Sequence, residues 1–248
     1  DALVPPEIMG LTVEQIEAVP WRVPQWGEGT QVRVGVAAWV VESGDRRLVL
    51  DPMMAADGVL HDPAGEQDHQ RAIAEAFERG GVAPESIDTV VASHLEGIGM
   101  IAQRSVDGLW QPFFTNARVL ISEAALGTYD SADEFTRAAW RPLFDDGRVD
   151  TFADGEEIVP GMRTEVSGAH NPGHTVFHFG AAPDATFVGH LAVSPLHLAT
   201  GLCPQQHPEP ERAEALLRSY VDDGRVLIGP LWPSPGAGRW KTGTFTAA

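Results

Sequence analysis

The chain has 248 residues, 43% of them hydrophobic and 21% charged, with 26 glycines and 19 prolines. Its apolar share is too high for a disordered chain and sufficient for a substantial buried core, so one globular domain over 1–248 is expected. With 17 Lys and Arg against 35 Asp and Glu, the net charge is −18. That excludes the basic face a nucleic-acid binder needs to displace counterions, and an anionic membrane surface would repel such a chain. A lone cysteine, Cys203, leaves no intrachain disulfide and no cysteine-based structural zinc site. No apolar run approaches the roughly 20 residues of a membrane span, and no basic-then-apolar leader opens the sequence. A cytoplasmic protein with a small-molecule substrate is the expectation, without nucleic-acid or membrane partners and with scope for a homodimer.

Residues 1–30, rich in Pro, Trp and acidic groups, read as an extended N-terminal arm with a short helix over 13–18, placed to cover a site or to mediate dimerisation. Val32, Val34, Val36, Ala38 and Val40 alternate with other residues, Gly44-Asp45 marks a tight turn, and Leu48-Val49-Leu50 follows, which is a hairpin pattern ended by Asp51-Pro52. Helical spacing over 67–80 (Ile73, Ala76, Phe77) stops at Gly80-Gly81. A short apolar strand is predicted over 87–92, then a strand over 117–121, one or two helices over 122–141, and strands over 149–152 and 161–167. Strands over 176–179 and 186–188, a helix over 208–221 and a final buried strand over 225–228 complete the pattern. Two similar halves of this kind suggest two sheets, each covered by helices.

The chemistry-bearing residues fall at strand ends. His94 and Glu96 follow the strand ending at Ser93, and His174 and His190 lie in comparable positions further on. In layered α/β folds, the loops beyond strand ends are where side chains converge on a site. His94 and Glu96, two apart, share one side of a locally extended backbone. Imidazole and carboxylate suit zinc, iron or manganese.

The segment Asn171-Pro172-Gly173-His174-Thr175, followed by Val176-Phe177-His178-Phe179, resembles the Pro-Gly-His-Thr segment of the metallo-β-lactamase superfamily. The run from Val90 through Ser93-His94-Leu95-Glu96-Gly97-Ile98-Gly99 resembles that family's His-x-His-x-Asp-His motif. The likeness continues through Phe113-Phe114-Thr115-Asn116-Ala117-Arg118-Val119 and through Phe187-Val188-Gly189-His190, where the family reads Gly-Asp. Order and spacing agree over 32–240, nearest to the lactonase and organophosphate-hydrolase-like branch. The resemblance implies a four-layer αββα sandwich.

It also implies a reduced metal site. Glu96 stands for one histidine of the first metal and His190 for the bridging aspartate, whereas Ile98, Gly99 and Pro230 stand where the second metal's ligands would be. One divalent ion, zinc ahead of iron or manganese, is thus expected at His94, Glu96, His174 and His190. Glu96 serves either as a ligand or as the catalytic general base. By the same resemblance His170 is a non-ligating neighbour that shapes its loop. His178 is read as a core or surface histidine, His61, His69 and His207 as solvated, and Cys203 as inert. Trp110, Phe113 and His197 are assigned to a substrate pocket, with packing as the alternative for each. The activity so implied is hydrolysis of a small ester, lactone or thioester. A mononuclear iron or manganese oxygenase, a lyase or cyclase, and a metal-free binding protein remain as alternatives. No Gly-x-Ser-x-Gly elbow supports a serine hydrolase.

Overall fold

The computed structural model describes residues 1–52, 63–95, 102–104, 107–182, 184–201 and 207–248, with the backbone alone for 63–69 and 104. The chain forms two compact units, Asp1–Ala37 with Ala153–Ala248, and Ala38–Phe152. Among the described residues no helix is long and apolar enough to cross a membrane.

The first unit opens with β1 (Ala2–Val4), α1 (Val13–Glu17), β2 (Gly27–Glu28) and β3 (Gln31–Val34), the strands pairing antiparallel in the order β1-β3-β2. Thr12 starts α1 with a reciprocal cap. Its hydroxyl accepts the Gln15 N–H at 3.2 Å, and the Gln15 side chain accepts the Thr12 N–H at 2.8 Å. The expected N-terminal arm is in fact core: Leu11, Ile16, Val19 and Trp26 are buried in one cluster with Leu191, Leu196 and Leu217 of the same unit. The alternating run over 32–40 is not one strand. It breaks at Gly35, where a Cβ would stand 2.8 Å from Asp1 Oδ1 and 3.0 Å from both Pro233 Cα and Trp232 O. From there the backbone pairs elsewhere, Gly35 and Ala37 donating to the carbonyls of Leu231 and Pro230 at 3.0 Å each.

The second unit holds β4 (Trp39–Ser43), β5 (Arg46–Leu50), α2 (Pro63–Arg79), β6 (Thr89–Val91), β7 (Ala102–Arg104), β8 (Trp110–Pro112), β9 (Arg118–Ser122), α3 (Glu123–Leu126), α4 (Glu134–Asp145) and β10 (Val149–Phe152). Its main sheet has the order β10-β9-β6-β5-β4, parallel except for the β4–β5 hairpin, and β7 pairs with β8 apart from it. Gly44 makes the hairpin turn with φ +63°, the positive φ that such turns require. Val49, Val90, Val119 and Ile121 from the sheet pack with Phe77, Phe114, Trp140 and Leu143.

The chain then returns to the first unit with β11 (Glu157–Val159), β12 (Met162–Val166), β13 (Thr175–Phe179), β14 (Ala185–Phe187), α5 (Leu196–Thr200), α6 (Pro210–Asp223), β15 (Val226–Ile228), β16 (Ala237–Lys241) and β17 (Thr244–Ala247). These seven strands lie side by side in chain order, antiparallel except for β14 and β15. The strand over 225–228 is therefore not the last. At Gly238 a side chain would run into Thr246 O and the Phe245 ring, so the glycine belongs to a strand crossed by an aromatic ring. Phe245 in turn meets Trp26 and Trp232 edge-on at 5.3 and 5.1 Å.

One polar residue ties two strand ends of the second unit together. Asp51, just past β5, is fully buried; its N–H reaches Val91 O at 3.1 Å, and its Oδ1 accepts the Ser93 N–H at 2.6 Å. Its Oδ2 pairs with the Ser93 hydroxyl. Burial pushes the Asp51 carboxyl up to about 7, although both Ser93 contacts favour the ionised form.

Two outcomes test this layout. Because the folded pKa of Asp51 stands above its unfolded value, the stability tied to its proton is complete below about pH 4 and is lost as pH rises through about 7. Asp51→Asn mimics the protonated carboxyl, so urea unfolding at pH 5 and pH 8 should show the wild type losing about 1–3 kcal/mol relative to the variant; equal losses would contradict the assignment. Ile16→Ala removes a fully buried side chain and should cost about 2–4 kcal/mol by the same measurement, whereas a free arm would leave stability unchanged.

Candidate metal centre

Four histidines gather in the first unit. The loop joining β12 to β13 is closed by Ser167 N–H on His174 O at 2.8 Å and His174 N–H on Asn171 O at 3.1 Å. Within it His170 has φ +56°, a left-handed conformation uncommon for a residue with a Cβ. Its N–H donates to His207 Nδ1 at 2.6 Å. His190 sits in the helical turn Gly189–Leu191 that follows β14.

Hydrogen bonds define the state of His174, which is fully buried. The Ser167 hydroxyl donates to His174 O at 3.1 Å, so the 2.6 Å contact between Ser167 Oγ and His174 Nδ1 is an Nδ1–H donation to the serine. Nε2 is then the unprotonated nitrogen, and its lone pair accepts the backbone N–H of His190 at 2.9 Å. Close by, His170 Nε2 and His190 Nδ1 are 3.2 Å apart, with the rings nearly perpendicular and 4.5 Å between centres. Burial, reinforced by the neighbouring His207, lowers His170 to about 4. Burial also holds His174 and His190 well below the ordinary imidazole range, with neighbouring histidines adding to the effect. At neutral pH these rings are uncharged, the form in which imidazole binds a metal.

His94, in the second unit, is buried at the end of β6. Its Nδ1 is 2.8 Å from Ser93 Oγ. With Asp51 ionised, the Ser93 hydroxyl donates to the carboxylate and accepts from His94 Nδ1–H, which puts the imidazole lone pair on Nε2. The next carbonyl, Leu95 O, is held by Trp140 Nε1–H at 3.0 Å.

Of the residues expected in the site, the structure brings His174 and His190 together, but with His174 accepting a backbone N–H. Glu96 lies outside the described residues, as do Ile98, Gly99 and Cys203. His197, expected in a substrate pocket, is fully buried, with Nε2 2.9 Å from Met9 O and Nδ1 3.1 Å from Ser194 O. Trp110 and Phe113 pack within the second unit, Trp110 edge-on to Phe135 at 5.2 Å and Phe113 edge-on to Phe114 at 4.8 Å. His207, expected in solvent, is half-buried and carries the His170 N–H. Asp51, Ser93 and Ser167 went unmarked in the sequence. Their signal is a serine directly before His94 and a serine seven residues before His174, each at a strand end.

No family model matches the sequence, and no curated protein matches it. Solved structures do. One is the hydrolase AbOPH of the β-lactamase superfamily, 17% identical with a TM-score of 0.76, covering 100% of this chain and 91% of that one. Another is AidC, a dizinc quorum-quenching lactonase, 13% identical with a TM-score of 0.71 over 95% and 85% of the two chains. A third is a quorum-quenching N-acyl homoserine lactone lactonase, 14% identical with a TM-score of 0.56 over 87% and 86%. At these identities the likeness is one of architecture, and the mixed sheets, helices and strand order described above agree with it: the chain has the metallo-β-lactamase fold.

Proposed function

We propose that this protein is a metal-dependent hydrolase that holds one divalent ion, zinc ahead of iron or manganese, and opens a small ester, lactone or thioester. The observation that carries the proposal is the burial of His170, His174 and His190 as uncharged imidazoles in one cluster. Rings in that state offer nitrogen lone pairs without first losing a proton, which is the donor set zinc takes. His94, Glu96, His174 and His190 are the ligands proposed, with Glu96 as ligand or general base.

The chain's own residues supply the rest. Asp51 and Ser93 orient the His94 ring and set its tautomer. Ser167 does so for His174. Pro230 offers no side-chain ligand, and its carbonyl is taken by Ala37 N–H, in keeping with a single ion. A divalent ion of this kind activates water near neutral pH and polarises a carbonyl oxygen. A net charge of −18 favours an uncharged substrate over an anionic one. Lactones are the substrates named for two of the structural neighbours, and this supports a lactone first.

Protein purified without added metal should carry about one ion per chain, read by plasma mass spectrometry. A strong chelator should abolish hydrolysis of a panel of lactones, aryl esters and thioesters, and added zinc should restore it. Two ions per chain would contradict the single site. Hydrolysis that survives complete metal removal would contradict the mechanism, and oxygen uptake by an iron-loaded form would transfer the protein to the oxygenases. Ser93→Ala, which unties His94 from Asp51, should weaken metal binding about 10- to 100-fold; unchanged affinity would remove His94 from the ligand set.

A further inference from the structure

We infer that the second unit carries a binding groove of its own, in which Arg46 and Arg118 take the carboxylate of a small organic monoanion. The groove is a cavity of about 410 Å³ whose walls include Arg46, Asp88, Thr89, Arg118, Leu120 and Asp150. That volume suits a small ligand. It lies where β6 and β9 begin, whereas His94 follows the far end of β6. From Thr89 to His94 is five residues, about 16 Å of extended chain, so the groove stands apart from the histidine of this unit.

The two guanidinium groups are aimed and only half used. Arg118 gives Nε and Nη2 to the Asp150 carboxylate, the second at 2.6 Å. Arg46 gives Nε to Asp88 Oδ1 at 2.8 Å and Nη2 to the Thr89 hydroxyl oxygen at 2.5 Å. Neither Nη1 has a partner among the described residues. A guanidinium holds five N–H donors in one plane, so the edge formed by Nη1 and Nη2 stays open on both side chains. That edge matches the two oxygens of a carboxylate. Thr89 is also the register partner of Arg118 across β6 and β9, which puts the two arginines at one strand position.

The aspartates act as holders. Asp88 is itself fixed, its Oδ2 accepting the Arg47 N–H at 2.6 Å and its Oδ1 the Thr89 hydroxyl at 2.7 Å. As stabilising ion pairs these contacts contribute little, because their side chains are 38–51% exposed. Their other effect is to fix the direction of each fork. They also select the ligand's charge. Two arginines beside two aspartates leave the groove near neutral in a chain of net charge −18, so a dianion such as phosphate is repelled more than a monocarboxylate. Leu120 lies on the same strand face as Arg118 and offers an apolar contact to the ligand's carbon chain. Carboxylate binding here is independent of the hydrolase reading above; under that reading, opening a lactone or ester releases such a carboxylate, and the groove becomes a product-binding site.

The test titrates the isotope-labelled whole chain with butyrate at constant ionic strength, following backbone amides by NMR, with inorganic phosphate as the comparison. Butyrate should give saturable shifts at residues 88–89, 118–120 and 150, and phosphate should give none there. Arg46→Gln and Arg118→Gln should each weaken butyrate about 10- to 100-fold. Arg118→Lys keeps the charge and a partner for Asp150 but lacks the planar fork, and should weaken it at least about 10-fold. Metal content and hydrolysis should not change in any of the three variants. Butyrate shifts confined to the histidine loops, wild-type affinity in Arg118→Lys, or phosphate bound as well as butyrate would each overturn the inference and leave the metal-dependent reading standing.

Discussion

An imidazole shut away from water takes up no second proton at neutral pH, and the loop between β12 and β13 is arranged around that constraint. A neutral ring has one N–H and one lone pair, and both need partners once solvent is gone. Ser167 takes the N–H of His174, and the His190 backbone takes its lone pair. His207 accepts the backbone N–H that the left-handed turn at His170 exposes. His170 Nε2 and His190 Nδ1 lie within hydrogen-bond distance of each other at 3.2 Å.

The second unit orients its histidine differently. A carboxylate, Asp51, is buried with it, and Ser93 stands between them. Burying that carboxyl is costly, as its raised pKa shows. The cost is accepted where the chain gains a fixed ring orientation, since one aspartate both ties the end of β5 to the end of β6 and sets the tautomer of His94. A metal-binding histidine is commonly backed by such a group. In the first unit the corresponding backing is a serine and a backbone amide, both uncharged, and burial keeps the imidazoles neutral there side by side.

The architecture was largely legible because its signals are local. The turn at Gly44-Asp45, the apolar runs of β6, β9 and β13, and the glycine stops after α2 and α6 all state their conformations in a few adjacent residues. Where long-range contacts decide, the pattern misleads. Val32 to Val40 alternate like a single strand, yet Gly35 is pressed against residues 232 and 233 and turns the chain into other pairings. Gly238 is a strand residue under the Phe245 ring, a role its residue type does not announce. The N-terminal segment, polar and proline-rich to the eye, places Leu11, Ile16 and Trp26 in the core because apolar partners distant in sequence meet them. His174 and His190, which do meet, announce themselves by position. His170 and His207 do not, since a φ angle and a hydrogen bond across 37 residues leave no mark on residue type.

The proposed metal binding depends on the histidine cluster being uncharged before any ion arrives. It is tested most directly by calorimetric titration of the metal-free protein with Zn²⁺ near pH 6, in buffers of differing ionisation enthalpy, which counts the protons released on binding. Imidazoles already uncharged in the fold predict a release close to zero. A release of between one and two protons, as from two histidines titrating at their ordinary pKa of about 6.5, would contradict the account.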